Sequence, residues 1–247
     1  MAGHNKWSKV KHKKGAADAK KSKVWTKIIR EITVATKMGG EDPNGNPRLR
    51  KALDDARANN ITKDTILRAL ERGAGKEGTA DFEELTYEGY GPSGVAILVD
   101  CLTDNRNRTS GDVRSIFNKL GGNLGTTGSV RFGFKKKGQI LFDKSDSKNK
   151  NLNEDQLLEI GLDKGLTDVS DEAEGFVVSC EPESLLELKE VFEKAGFVPV
   201  SAEVEMIPDV YVPLTGENAK TMMRLTEALE DLDDVQNVWS NEEIDED

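Results

Sequence analysis

The sequence predicts an α+β protein of three domains: a basic N-terminal helical domain followed by two α/β sandwich domains of ferredoxin-like character. Three observations carry this. Apolar residues recur at helical spacing up to about residue 76 and at strand spacing through much of the remaining chain. Charge is sorted along the chain rather than mixed. Residues 139–205 read as strand, helix, strand, helix, strand, a self-contained pattern of the ferredoxin-like α+β type. At 247 residues with 36% hydrophobic and 6% aromatic content, several small cores are favoured over one large one. The boundaries expected are 1–77, then 78–134 together with 207–247, with 135–206 inserted between them.

Each element has a local reason. The opening fifteen residues show no helical apolar period and read as an extended basic arm. Trp25, Ile28, Ile29, Ile32 and Ala35 then lie on one helical face, which Gly39-Gly40 ends. Pro47 suits a first helical position, and a second helix burying Leu49, Leu53 and Ala56 runs to about Ala58. Thr62 caps a third, burying Ile66, Ala69 and Leu70 and stopping at Gly73. Leu85–Tyr87 and Val95–Leu102 read as strands, the second buried on both faces. Thr109–Leu120 reads as a helix, with Thr109-x-x-Asp112 as a capping box. Val130, Phe132 and Phe134 alternate with polar neighbours, a half-buried strand. Gln139–Phe142, a helix from Asn153 to Gly165, Phe176–Cys180, a helix from Leu185 to Gly196 and an alternation over Val200–Met206 complete the insert. A helix capped by Thr215 and a strand near Val235–Trp239 then return to cover the sheet of 82–134.

The formal charge of −10 hides a gradient. Residues 1–76 hold nineteen Lys/Arg against eight Asp/Glu, while residues 143–247 hold eight against twenty-nine. The first 37 residues have eleven basic and two acidic side chains. Charge that dense attracts a polyanion by steering and counterion release, and the acidic end orients the approach. The candidate contacts are Lys6, Lys9, Lys11, Lys13, Lys14, Lys20, Lys21, Lys23 and Lys27, with His4 and His12 beside them. Trp7 stands among these cations, either stacking on a base or packing on a domain. Arg106 and Arg108 open a helix after a buried strand, which favours an anion, although the same segment can serve to cap that helix.

Other chemistry is excluded or disfavoured. Two histidines, both within the first twelve residues, leave no ligand set for zinc and little room for histidine catalysis. Cys101 and Cys180 make no disulfide framework. Gly121–Ser129 lacks the Gly-Lys-Ser/Thr ending of a P-loop and reads as a turn. Asp143–Glu154 has Lys148 where a calcium loop needs glycine. No cofactor, metal or small-molecule substrate is expected. The longest aliphatic run, Val95–Val99, is far short of a membrane span, and no signal sequence is visible, so a cytoplasmic protein is expected. Helices two and three read as a packing unit rather than a helix-turn-helix, because Asp64 and Glu71 sit among Lys63, Arg68 and Arg72. A lysine-rich arm without a recognition helix suits structured RNA better than base-specific DNA readout.

Several segments together resemble the YebC/PmpR family: Ala2–Gly15, Trp25–Glu31, Asn46–Arg50, Tyr87–Pro92, Thr103–Thr109, and Gly121–Gly125 with Gly128–Val130. The likeness runs nearly end to end, with Trp25 where many members are expected to have Phe. It implies three domains and no enzymatic activity. The family's roles are divided between DNA-binding transcriptional regulators and translation factors that relieve ribosomes stalled at proline-rich stretches. It includes the mitochondrial translational activator of cytochrome c oxidase. In the second role the basic domain would approach the ribosomal RNA of the peptidyl-transferase centre. The resemblance and the charge pattern together point to a non-enzymatic nucleic-acid-binding regulator of gene expression. Ribosomal RNA is the preferred partner and promoter DNA the alternative.

Overall fold

The computed structural model describes Trp7, residues 18–76 and residues 81–244, with the backbone alone for residues 18–20. The elements in chain order are α1 (Asp18–Gly39), α2 (Pro47–Ala58), α3 (Lys63–Gly73), β1 (Glu83–Tyr90), β2 (Ala96–Thr103), α4 (Arg106–Lys119), β3 (Asn123–Leu124), β4 (Phe134–Asp143), α5 (Glu154–Gly161), β5 (Leu166–Asp171), β6 (Gly175–Cys180), α6 (Leu185–Lys194), β7 (Ser201–Pro208), β8 (Val212–Leu214), α7 (Gly216–Glu230), β9 (Val235–Ser240) and β10 (Glu242–Ile244). Trp7 and Phe132–Pro213 belong to one compact unit; α1 to α4 through Arg131, with Leu214 onward, belong to the other. The fold is the α+β class expected, with helices first and antiparallel sheets after.

The three N-terminal helices close on one core. Ile32, Ala35, Leu49, Ala52, Leu53, Ala56, Ile61 and Ala69 are buried, and Trp25, Ile28, Ile29, Ile66 and Leu70 pack against them. The Asn46 side chain accepts from Leu49 N–H, with Pro47 at the start of α2, and the Thr62 hydroxyl caps α3. Gly73 lets α3 meet α1: a Cβ there would lie 2.5 Å from the Thr33 carbonyl oxygen. Only a residue without a side chain permits that approach.

In the same unit the sheet has the order β3-β1-β2-β9, all antiparallel. Ile97, Leu98, Val99, Cys101 and Leu102 of β2 are buried, as expected of a strand covered on both faces. The buried side chains of α4 (Val113, Phe117) and α7 (Met222, Leu225) belong to this module, and β1 comes so close that a Cβ on Gly89 would lie 2.6 Å from the Phe117 ring.

The other unit carries a sheet of order β5-β6-β4-β7, again antiparallel. Counted within the unit this is 2-3-1-4, the ferredoxin-like arrangement. One face packs on α5 and α6 through Ile140, Phe142, Leu157, Val178, Leu188 and Phe192, with Phe142 edge-on to Phe192 at 5.2 Å.

Three local expectations are corrected. The Val130–Phe134 segment is not a continuous strand: Arg131–Gly133 is a single 3-10 turn, Phe132 is 82% exposed, and the strand begins at Phe134. The reason is that the Glu88 carboxylate takes the Val130 and Arg131 N–H groups, so the backbone there has its partners. Thr109-x-x-Asp112 is not the cap of α4. Asn105 is, accepting from Arg108 N–H at 3.1 Å, and the helix starts three residues before Thr109. The helix expected from Asn153 to Gly165 ends at Gly161 and continues as a 3-10 turn, which Gly165 closes at φ +87°. No described helix is long and apolar enough to cross a membrane.

Candidate nucleic-acid interface

Of the candidate contacts, His4, Lys6, Lys9, Lys11, His12, Lys13 and Lys14 lie outside the described residues, as does the Lys20 side chain. Lys21 is exposed on α1. Lys23 and Lys27 follow it at helical spacing, with Arg30 next on the same face. Their charge is directed inward. Lys23 Nζ donates to the Asp231 carbonyl at 3.1 Å, and Lys27 Nζ donates to the Glu230 carbonyl at 2.6 Å. Arg30 reaches the Asp233 carbonyl at 2.5 Å and Asp234 Oδ1 at 2.7 Å. These are the last carbonyls of α7 and the acidic turn after it, where the helix dipole is negative and the carbonyls lack helical partners. Burial pushes the Lys27 ammonium below its ordinary range, against the opposing pull of Glu230, Asp231 and Asp233. The amino groups of Lys23 and Lys27 thus meet the C-terminal carbonyls of α7, with the Lys23 side chain still 42% exposed.

Asp234 is the centre of this contact. Its side chain is 8% exposed, and it holds Arg30 on one side and Arg108 on the other. Arg108 approaches Oδ2 at 2.8 Å and also pairs with Asp104. The Thr109 hydroxyl donates to Asp234 at 2.7 Å, with Thr103 at 3.3 Å. Burial alone would raise the Asp234 carboxyl; the bonds from Arg108 and Thr109 and the charge of Arg30 outweigh it and hold it below the usual carboxylate range. Arg108 thus answers the Asp234 carboxylate, with its side chain 45% exposed. Arg106, at the first position of the same helix, is exposed and makes no ion pair among the described residues. The sequence reading missed Arg30 and Asp234. The signal was present: Glu230, Asp231, Asp233 and Asp234 crowd a helix C-terminus, where acids are unfavourable unless cations meet them.

Trp7 is 3% exposed and packs with Leu141, Val177 and the half-buried Val200 on the face of the ferredoxin-like sheet opposite its helices. Its indole N–H donates to Glu172 at 2.9 Å. A Cβ on Gly175 would lie 2.5 Å from the Trp7 ring. Of the two roles open to Trp7, the structure shows packing; the ring is not available to a base.

Two of the motifs that carry the family resemblance meet at Glu88. Its buried carboxylate accepts N–H bonds from Gly128 at 2.6 Å, Val130 at 2.8 Å and Arg131 at 2.9 Å, while the Tyr90 hydroxyl donates to the Ser129 carbonyl. Burial raises the Glu88 carboxyl, and the three backbone donors outweigh that and lower it. The glycine-rich loop is therefore tied to β1. Among the described residues no group of three or more His, Cys, Asp or Glu is placed to hold a metal. Burial pushes the Cys101 thiol up to about 12 and the Cys180 thiol up to about 11, so both stay protonated at neutral pH.

An all-antiparallel sheet module, a basic three-helix segment and a ferredoxin-like insert define an α+β protein. Residues 5–76 match the family described as "TACO1/YebC protein N-terminal domain" and residues 82–242 match "TACO1/YebC second and third domain"; the chain belongs to this family. It is 53% identical over 244 residues to a probable transcriptional regulatory protein of Geobacter sulfurreducens, covering 99% of this chain and 96% of that one. It is 50% identical over 245 residues to one of Magnetococcus marinus, covering 99% and 96%. A crystal structure of a conserved hypothetical protein from Aquifex aeolicus superposes with a TM-score of 0.81 at 43% identity, over 93% of each chain.

Proposed function

We propose that this protein is a non-enzymatic regulator of gene expression that binds nucleic acid through its basic N-terminal domain, with ribosomal RNA as the target and relief of stalled translation as the outcome. The observation that carries the reading is the charge of residues 1–76, nineteen basic side chains against eight acidic, in a chain that is acidic overall. The occupation of Lys23, Lys27 and Arg30 by the α7 terminus moves the weight of the proposal onto Lys6, Lys9, Lys11, Lys13 and Lys14. Phosphate contact by a lysine cluster positions a polyanion without reading sequence. The apolar face of α1 is already filled by α2 and α3, which argues against a membrane surface as partner. In this reading residues 1–77 form the binding domain, 78–134 with 207–247 form the middle domain, and 135–206 form the insert.

Promoter DNA is the second reading, favoured by the name that the curated relatives carry, probable transcriptional regulatory protein. One experiment separates them. The protein is crosslinked in cells at physiological salt, recovered, and the bound nucleic acid sequenced. Enrichment of large-subunit ribosomal RNA supports the first reading. Enrichment of discrete promoter DNA that survives RNase replaces it with the second.

A further inference from the structure

The first half of β4 is not part of a full sheet. β4 pairs with β7 from Phe134 (opposite Pro208) to Leu141 (opposite Ser201), whereas its pairing with β6 begins only at Gly138. Phe134–Lys137 and Glu205–Pro208 therefore form a two-stranded ribbon that runs past the four-stranded sheet, with one edge of β4 unpaired among the described residues. The ribbon carries Lys135, Lys136 and Lys137 in succession. Successive side chains on a strand point to opposite faces, so the ribbon presents cations on both sides. Lys135 pairs with Asp209 and Lys137 with Glu181, while Lys136 is exposed and makes no ion pair among the described residues.

At the end of the ribbon stands Phe132. It is 82% exposed, the most exposed of the large hydrophobic side chains described, with Val210 also exposed beyond the other strand. The Asp209 N–H donates to the Gly133 carbonyl at 2.9 Å, which pins the residue after Phe132 to the opposite strand. The ring is thus carried on a fixed backbone rather than on a loose loop. An aromatic side chain offered to water, four residues before an exposed lysine on the same ribbon, has few suitable occupants. A folded protein partner would leave the Lys136 ammonium to be desolvated; an unpaired nucleobase brings a π-face for the ring and a phosphate for the cation together.

We propose that Phe132 is a stacking platform for an unpaired base of single-stranded nucleic acid, with the exposed Lys136 as the cation for its backbone. This rests on the nucleic-acid reading above and sharpens it: the arm supplies sequence-blind attraction, and the ribbon requires an unstacked base. The probe is a single-stranded RNA of mixed sequence carrying one 2-aminopurine, together with the same sequence as a duplex, titrated against full-length protein. Stacking on Phe132 should quench the 2-aminopurine. Phe132→Ala should abolish the quench and weaken single-strand binding at least about five-fold, while Phe132→Trp restores both. Duplex binding should not change. Because the ring is solvent-exposed, the alanine variant should keep the wild-type Tm, which is checked alongside. Equal single-strand affinity and equal quench in wild type and Phe132→Ala would overturn the platform while leaving the nucleic-acid reading intact. Failure of the wild-type protein to bind either probe would overturn the nucleic-acid reading itself, and the platform with it.

Discussion

Asp234 is the residue whose removal tests the charge architecture most directly. Its carboxylate joins α1 (through Arg30) to α4 (through Arg108 and Thr109). Removing one member of a buried ion pair typically costs about 3–5 kcal/mol. Here the figure is reduced, because Arg30 keeps the Asp233 carbonyl and Arg108, with its side chain 45% exposed, keeps Asp104. Asp234→Ala should therefore cost about 3 kcal/mol, and Asp234→Asn, which retains an acceptor for Thr109, about 2 kcal/mol. The assay is urea unfolding followed by tryptophan fluorescence in a Trp7→Phe background, leaving Trp25 and Trp239 as reporters within the same unit as Asp234. The pH dependence has a definite sign. A carboxyl held low in the folded state contributes fully above its unfolded value near about 3.9, and that contribution is lost as pH falls through the folded value. The gap between wild type and Asp234→Asn should be constant from pH 7 to 5 and close below about pH 4. Variants within about 0.5 kcal/mol of wild type at neutral pH would refute the account, since that is what an ordinary surface position gives.

Three further outcomes are expected. Gly175→Ala, whose Cβ would collide with the Phe142 carbonyl oxygen and lie 2.5 Å from the Trp7 ring, should strain the β4–β6 pairing and shift Trp7 emission to the red against Trp7→Phe controls; unchanged stability and emission would mean that this close packing is absent. Glu88→Gln should destabilise by about 1–3 kcal/mol, because a neutral amide cannot serve three backbone donors as a carboxylate does. Amide exchange at Gly128, Val130 and Arg131 should rise with it. Reversing Lys9, Lys11, Lys13 and Lys14 to Glu should weaken nucleic-acid binding and flatten its salt slope by roughly the number of phosphates no longer neutralised. An unchanged slope would remove the arm from the interface.

The ends of α2 and α3 were legible nearly to the residue. Pro47, Thr62 and Gly73 are local signals whose physics acts within one turn, and they fall at the observed ends of α2 and α3. The alternation over Val200–Met206 and the double-sided burial of β2 were legible for the same reason. What could not be read is what distant carboxylates do. Val130, Phe132 and Phe134 alternate as a strand should, yet Glu88, some forty residues earlier, claims the backbone and turns Phe132 outward. That Lys23 and Lys27 meet the Glu230 and Asp231 carbonyls is seen only once the fold brings those residues to them. The partner of Arg108, Asp234, likewise comes from 126 residues away. In each case the missing quantity was a long-range partner, which neither periodicity nor spacing encodes.

The ferredoxin-like unit begins on β4 and ends on β7, and those two strands are paired directly, Phe134 against Pro208. Its two chain ends consequently leave side by side, about one strand spacing apart, near 5 Å. A module with adjacent ends can be spliced into a loop of another fold without stretching it, and it can be cut out again and the gap closed by a tight turn. What ties this module to the chain's beginning is Trp7. Excised alone as residues 132–213, it would lose the Trp7 indole that packs on Leu141 and Val177 on its second face.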